Sequence, residues 1–226
     1  MNIGIIGSGN IGSTLAGHLT KLGHQVAIAN SRGPESLGEI AEKTAATPVT
    51  TEVAAGAKDI VILATPEKAI PTLPIKILSA SRAVIIDAGN YYPSRDGQNT
   101  DISGGLTDSE WVGKVLGHSV IKAFNNIVAL SLASKAVPPG SPNRIALSVA
   151  GNDEREKRVV TSLIEQIGFD AIDAGSLSES WRQQPGEPAY CQDLDKDALE
   201  SALQNADISK REVNLTRADE IARPYL

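Results

Sequence analysis

Short apolar runs alternate with amphipathic stretches from the first residues of this chain to about residue 175. Residues 2–6 and 25–29 read as strands, with a helix over 13–22 between them. Pro34, just after Gly33, occupies the first turn of a helix that runs to about Thr44. Residues 48–50 read as a short third strand and 51–57 as a short helix. The run Ile60-Val61-Ile62-Leu63-Ala64 is apolar throughout, the pattern of a strand covered on both faces. Residues 67–80 read as helical, interrupted at Pro71 and Pro74, and residues 83–87 as a fifth strand. A helix over about 107–116 precedes a sixth strand at 119–122. Two more strands, 145–149 and 169–172, flank a helix over 153–167. In that helix Val159, Val160, Leu163, Ile164 and Ile167 recur at helical spacing and read as core.

Strand and helix alternating in this way predict an α/β fold with a mostly parallel, doubly wound sheet of Rossmann type. Ligands of such sheets lie outside the carboxyl ends of the strands, where the strand order reverses. That rule singles out five loops: residues 7–12, 30–32, 65–66, 88–93 and 123–127. Residues 1–175 are expected to form the nucleotide-binding domain. Beyond Gly175 a turn-rich stretch around Gln183-Gln184-Pro185-Gly186 leads to two polar helical segments, about 195–206 and 209–222. Residues 176–226 are too few for a large helical substrate domain and read as a flap and helical arm.

The loop after the first strand is Gly7-Ser8-Gly9-Asn10-Ile11-Gly12. A GxGxxG motif alone is weak, but one placed between an apolar strand and a helix start points to a dinucleotide. Gly7 turns the chain out of the strand, Gly9 leaves room for a pyrophosphate, and Gly12 lets the helix approach the sheet. The phosphates then face free N–H groups at a helix N-terminus. The second strand ends in Asn30-Ser31-Arg32. An NAD site usually carries Asp or Glu about 20 residues past the glycines, bonded to the ribose hydroxyls. An acid there repels a 2′-phosphate, whereas Ser31 and Arg32 can hold one by charge-assisted bonds. The expected cofactor is NADP(H).

A net charge of −6 argues against non-specific nucleic-acid binding. Cys191 is the single cysteine, which rules out an internal disulfide and fits a reducing, cytoplasmic setting. The first strand begins next to Met1, leaving no room for a signal peptide. No apolar run approaches the ~20 residues that span a bilayer, so no membrane partner is expected. His18, His24 and His118 show no metal-ligand spacing, and His18 and His24 read as structural.

On these loops the chain resembles the NADP oxidoreductases of the coenzyme-deazaflavin-dependent type. The resemblance rests on residues 5–12, on Asn30-Ser31-Arg32, on Lys122-Ala123-Phe124-Asn125-Asn126-Ile127 and on Asp173-Ala174-Gly175-Ser176-Leu177. It implies hydride exchange between NADPH and a deazaflavin, with Ser31 and Arg32 on the 2′-phosphate. It further implies that the Thr65-Pro66 backbone lies near the ribose and nicotinamide and that residues 125–127 face the second substrate; Ala88 and Asn90, past the fifth strand, are also expected to contact the cofactor. The sequence departs from deazaflavin reductases at Asn125, where characterised members carry His, and in the loop over 91–97.

The acceptor therefore stays open among deazaflavin, flavin, ketone and imine. A ketone or imine needs a proton donor within hydrogen-bond reach, for which Lys122, Tyr91, Tyr92 and Tyr190 are available. Lys122 and Asn125 are the candidate catalytic residues, Asn125 as an orienting amide; the alternative for Lys122 is a solvated lysine past a strand end. Tyr91 and Tyr92 either stack on a flat substrate or pack their own loop. Trp181 and Tyr190 are expected to shield the reaction from water, and Cys191 to be a small buried residue. A non-catalytic NADP(H) sensor is the alternative function. The partner is a small-molecule hydride acceptor, and a homodimer is compatible with the chain.

Overall fold

The computed structural model describes residues 1–226. It contains strands β1 (Asn2–Ile6), β2 (Gln25–Ala29), β3 (Thr47–Pro48), β4 (Ile60–Leu63), β5 (Val84–Asp87), β6 (Ile121–Lys122), β7 (Ala146–Val149) and β8 (Asp170–Asp173). Its helices are α1 (Asn10–Lys21), α2 (Gly38–Thr44), α3 (Thr51–Ala55), α4 (Ile75–Ser79), α5 (Pro93–Asp96), α6 (Thr100–Ser103), α7 (Asp108–Leu116), α8 (Ala129–Ser134), α9 (Glu154–Ile167), α10 (Lys196–Gln204) and α11 (Arg211–Ala222).

Strands β1 to β6 form one parallel sheet in the order β3-β2-β1-β4-β5-β6. The order reverses between β1 and β4, which opens a crevice above their carboxyl ends. Because side chains alternate along a strand, the sheet divides its apolar residues between two cores. Ile3, Ile5, Ile60, Ile62 and Ile86 enter the core shared with α1, α8 and α9. Ile6, Val61, Leu63 and Ile85 enter the core shared with α3, α4 and α7. Strands β7 and β8 make a separate parallel pair, joined to the main sheet by a single antiparallel bridge between Lys122 and Ala150. Helix α9 covers one face of this pair, through Val160, Leu163, Ile164 and Ile167. Val159 is only partly buried. Helix α10 covers the other face with Leu199 and Leu203.

Several boundaries differ from the sequence reading. The third strand lies at Thr47–Pro48, one residue earlier than expected and shorter. The helix over 34–44 is a 3₁₀ turn, Pro34–Leu37, running into α2, because Pro34 sits at the first helical position and Gly38 at the junction. Helices α5, α6 and α8 are not expected from the sequence, which reads as loop over 88–97; Asn99 caps α6 with its side chain, a one-turn signal too short to show periodicity. Helix α7 carries a full capping box, Thr107 with Glu110, and stops at Gly117 in the left-handed region.

One ionic contact locks the far end of the sheet. Lys122, fully buried on β6, donates from Nζ to Asp87 Oδ2 of β5 at 3.1 Å and to the Gly89 carbonyl at 2.7 Å. Ser109 of α7 donates to the same Asp87 oxygen at 2.6 Å. The lysine is therefore not solvated, which corrects that expectation, and it lies on the strand expected over 119–122 rather than past its end. Removing one partner of a buried pair leaves an uncompensated charge, at a cost of about 3–5 kcal/mol. Lys122→Met, similar in length, should lower unfolding stability by about that amount, read from urea denaturation; a loss under ~1 kcal/mol would show that the pair holds nothing.

Candidate functional site

The crevice is built from the ends of four strands. Its floor is the glycine loop. Gly7 has φ 116°, a value that L side chains rarely adopt, and a Cβ there would strike the Ala64 carbonyl. A Cβ on Gly12 would strike the Gly7 carbonyl, so α1 packs against the turn only because both positions lack side chains. Gly9 differs: nothing lies within 4 Å of the position its Cβ would take. The fold itself does not need glycine there, and the space above it is open to a ligand. Gly9 is also the N-cap residue of α1, whose first N–H groups point into that space.

At the end of β2 the Asn30 amide braces the neighbouring loops. Its Nδ2 donates to Ser8 Oγ at 3.1 Å and to Ser36 Oγ at 2.9 Å, while its Oδ1 accepts from the Arg32 N–H at 2.9 Å. Ser31 and Arg32 are exposed at the rim, and no carboxylate stands at the strand end. A cleft of about 490 Å³ continues from Gly9, Asn10 and Ile11 past Thr65, Pro66, Ala88, Gly89 and Asn90. Thr65 lines it, and its buried Oγ1 has no partner within the protein. These features fit a dinucleotide phosphate, with a 2′-phosphate at Ser31 and Arg32.

The far end of the cleft is lined by Tyr92, Arg95, Phe124, Asn125, Ile127, Tyr190 and Cys191. The loops over 88–93 and 123–127 thus meet here, as expected, and Tyr190 joins them. Trp181 does not: it lies in a separate hollow with Arg182, Leu203 and Ile208. Its place in the 3₁₀ turn Leu177–Gln183 turns it toward α10, so it cannot screen the cleft. Tyr91 also faces away; its hydroxyl donates to the Gly97 carbonyl at 2.8 Å. Asn125 lines the cleft, but its amide is already engaged. Nδ2 donates to the Gln183 carbonyl at 2.7 Å and to Asn90 Oδ1 at 3.1 Å, and Oδ1 accepts from Gln183 Nε2 at 2.8 Å. It ties the flap to the β5 loop rather than presenting itself to an acceptor. Gln183, the partner that holds it, carries no signal in the sequence beyond its place in a turn-rich run.

Beneath Gly89 lies a cluster that sequence reading missed. Glu67, Asp87, Asp108 and Lys122 are all buried there, with a single ammonium among three carboxyls. Burial, reinforced by Asp87, pushes the Glu67 carboxyl well above its ordinary range, and both its oxygens lack partners. Burial also raises Asp108, whose Oδ2 accepts the Tyr91 N–H. Burial opposes the charge on Lys122, but the surrounding carboxylates outweigh it and hold the ammonium above its usual pKa. Lys122 therefore gives up no proton near neutrality and does not line the cleft. Its role is to hold Gly89 in place.

The remaining candidates have local explanations. His18 bonds the Leu132 carbonyl at 2.8 Å, and His24 lies 3.3 Å from the amino terminus. No group of three His, Cys, Asp or Glu side chains is placed to hold a metal. Cys191 is half-buried rather than fully buried, and burial pushes its thiol up to about 11, which removes it as a nucleophile at neutral pH. No helix is long and apolar enough to cross a membrane.

Comparison with known proteins adds the family. Residues 2–91 match the model described as NADP oxidoreductase, coenzyme F420-dependent. The protein SMa0349 of Sinorhizobium meliloti, of solved structure, is 34% identical, with a TM-score of 0.72 over 87% of this chain and 97% of that one. The chain belongs to this oxidoreductase family, whose cofactor is NADP(H). A structure presented as an F420-dependent NADP reductase of Arthrobacter sp. FB24 shares the fold, with a TM-score of 0.65 at 23% identity over 80% of this chain and 87% of that one. The protein YjhV of Escherichia coli (strain K12) is 46% identical over 57 residues, which are 25% of this chain and 42% of YjhV.

Two variants test the cofactor contacts. Losing one charge-assisted phosphate contact costs about 1.5–3 kcal/mol, or roughly tenfold to hundredfold in affinity. Arg32→Ala should weaken NADPH by that factor and leave NADH nearly unchanged in a fluorescence titration; equal wild-type affinities for the two would contradict the assignment. Gly9→Val should abolish NADPH binding with an unchanged melting temperature, because its side chain enters empty space in the free protein. Retained binding would place the phosphates elsewhere.

Proposed function

We propose that this chain is an NADPH-dependent reductase whose second substrate sits between the loops over 88–93 and 123–127. The observation that carries the reading is the single cleft that runs from Gly9 and Asn10, through Thr65 and Gly89, to Asn125 and Tyr190. When bound, NADPH supplies a hydride at its nicotinamide, and a small or flat acceptor (deazaflavin, flavin, ketone or imine) receives it. The residues have separate tasks. Gly9, Asn10 and Ile11 offer backbone N–H groups to the phosphates, with Gly7, Ser8 and Gly12 shaping the turn. Ser31 and Arg32, set by Asn30, hold the 2′-phosphate. Thr65, Pro66, Ala88 and Asn90 border the nicotinamide end. Phe124 and Ile127 supply apolar walls that exclude water, which hydride transfer between stacked reactants requires.

Asn125 acts as a positioning residue, because its amide joins Asn90 to Gln183 and so fixes the flap over the cleft. Small misplacements of reacting groups cost on the order of 10²-fold in rate. Asn125→Ala should lower turnover with an accepted substrate by about that factor while NADPH affinity changes by less than about threefold. Full activity in this variant would mean that the pocket is wrongly placed. Steady NADPH consumption by the wild-type protein with a panel of these acceptors tests the reading itself; cofactor that is bound but never consumed would make the chain a sensor.

A further inference from the structure

Beyond the nicotinamide end, the cleft closes on two tyrosines from distant parts of the chain. Tyr92 follows the β5 loop and Tyr190 ends the flap, yet their hydroxyl oxygens lie 2.7 Å apart. Both line the same cleft as Thr65, Gly89 and Asn125. Each is fixed from behind. The Tyr92 N–H donates to Asp96 Oδ2 at 3.0 Å, and the Arg95 guanidinium lies 5.4 Å from the Tyr92 ring centroid. Arg95 is itself held by Asp96 and by the Asn90 carbonyl. The Tyr190 N–H donates to the Glu187 carbonyl at 3.0 Å.

Counting hydrogens shows what the pair can do. Two phenols carry two hydroxyl hydrogens, and the bond between them uses one. The other has no oxygen or nitrogen acceptor in the protein; its neighbour is the weakly accepting sulfur of Cys191, which leaves it available to a ligand in the cleft. Burial raises the pKa of both phenols, so both stay protonated through the neutral range. Lys122 offers no competing acid, because its proton is held by carboxylates and it does not line the cleft; Cys191 lines the cleft, but a thiol is a weak hydrogen-bond donor.

We propose that the Tyr92–Tyr190 hydroxyl pair is the proton donor to the acceptor, and that it selects a carbon–heteroatom double bond, a ketone or imine, over a deazaflavin or flavin. This rests on reading the cleft as a hydride-transfer site. Hydride from NADPH, with its electron pair, forms the new C–H bond; the C=X π bond breaks and its electrons pass to X. The free O–H of the pair then bonds its proton to X. The resulting phenolate is restored by the second hydroxyl and finally by solvent, while the Arg95 cation over the Tyr92 ring stabilises the transient charge. Hydride transfer to a flavin leaves an anionic hydroquinone and requires no such donor.

The test uses 1-phenyl-1,2-propanedione and FMN as probes, with Tyr92→Phe, Tyr190→Phe and the double variant. Phe keeps the ring packing, and NADPH titration of each variant confirms an intact cofactor site. In NADP⁺-loaded wild-type protein the dione carbonyl stretch should shift to lower frequency in difference infrared spectra, as hydrogen-bond donation requires, and the double variant should lose the shift. In turnover with NADPH the wild type should reduce the dione faster than FMN, and the double variant should lose roughly a hundredfold or more in kcat with the dione. Dione reduction equal in wild type and double variant, with no infrared difference, overturns the donor and leaves the reductase reading standing. NADPH consumption with neither probe, and no carbonyl shift in the wild type, overturns both.

Discussion

The contact between Lys122 and Asp87 sets the geometry on which the site depends. One fully buried ammonium joins β6 to β5, reaches the Gly89 carbonyl, and shares its carboxylate with Ser109 of α7. Placing a charge there carries a desolvation cost that only close and complete pairing offsets. The surplus of carboxyls around it explains the rest of the local chemistry. Burial first, and then the neighbouring Asp87, drive Glu67 toward its neutral form. Gly89 and Asn90 stand directly above this network, so the end of the cleft that we assign to the nicotinamide rests on a polar base.

From that base, positioning passes outward through neutral amides. Asn90 and Asn125 bond each other, and Asn125 bonds Gln183, so the β5 loop, the β6 loop and the flap form one connected wall. Amides suit this task because they supply donors and acceptors without adding charge to a site that must receive an anionic cofactor. The phosphate end is built differently. As proposed, it uses backbone N–H groups at the N-terminus of α1, beside the strand-order reversal, and one exposed guanidinium past β2.

The elements whose signals are local could be read from sequence. The strand–GxGxxG–helix unit, the missing acid at Asn30 and the capped helices α7 and α9 each declare themselves within a few residues. What stayed hidden arises from long-range pairing. Lys122 reads as a surface lysine because its counter-charges lie at Glu67, Asp87 and Asp108. Asn125 reads as a free amide because its partners are Asn90 and Gln183. Trp181 reads as a shield because an aromatic in a flap invites that role, and only the 3₁₀ turn around it shows that it faces α10. Tyr92 and Tyr190 were separate candidates; their contact makes them one unit.

A crystal structure of the chain with NADP⁺ bound tests the central claim most directly. The pyrophosphate should lie across Gly9 against the N–H groups that open α1, with the 2′-phosphate between Ser31 and Arg32. The nicotinamide should lie between Thr65 and Asn90, facing the Tyr92–Tyr190 pair. A dinucleotide bound away from Gly9, or one whose nicotinamide points out of the cleft toward solvent, would contradict the account.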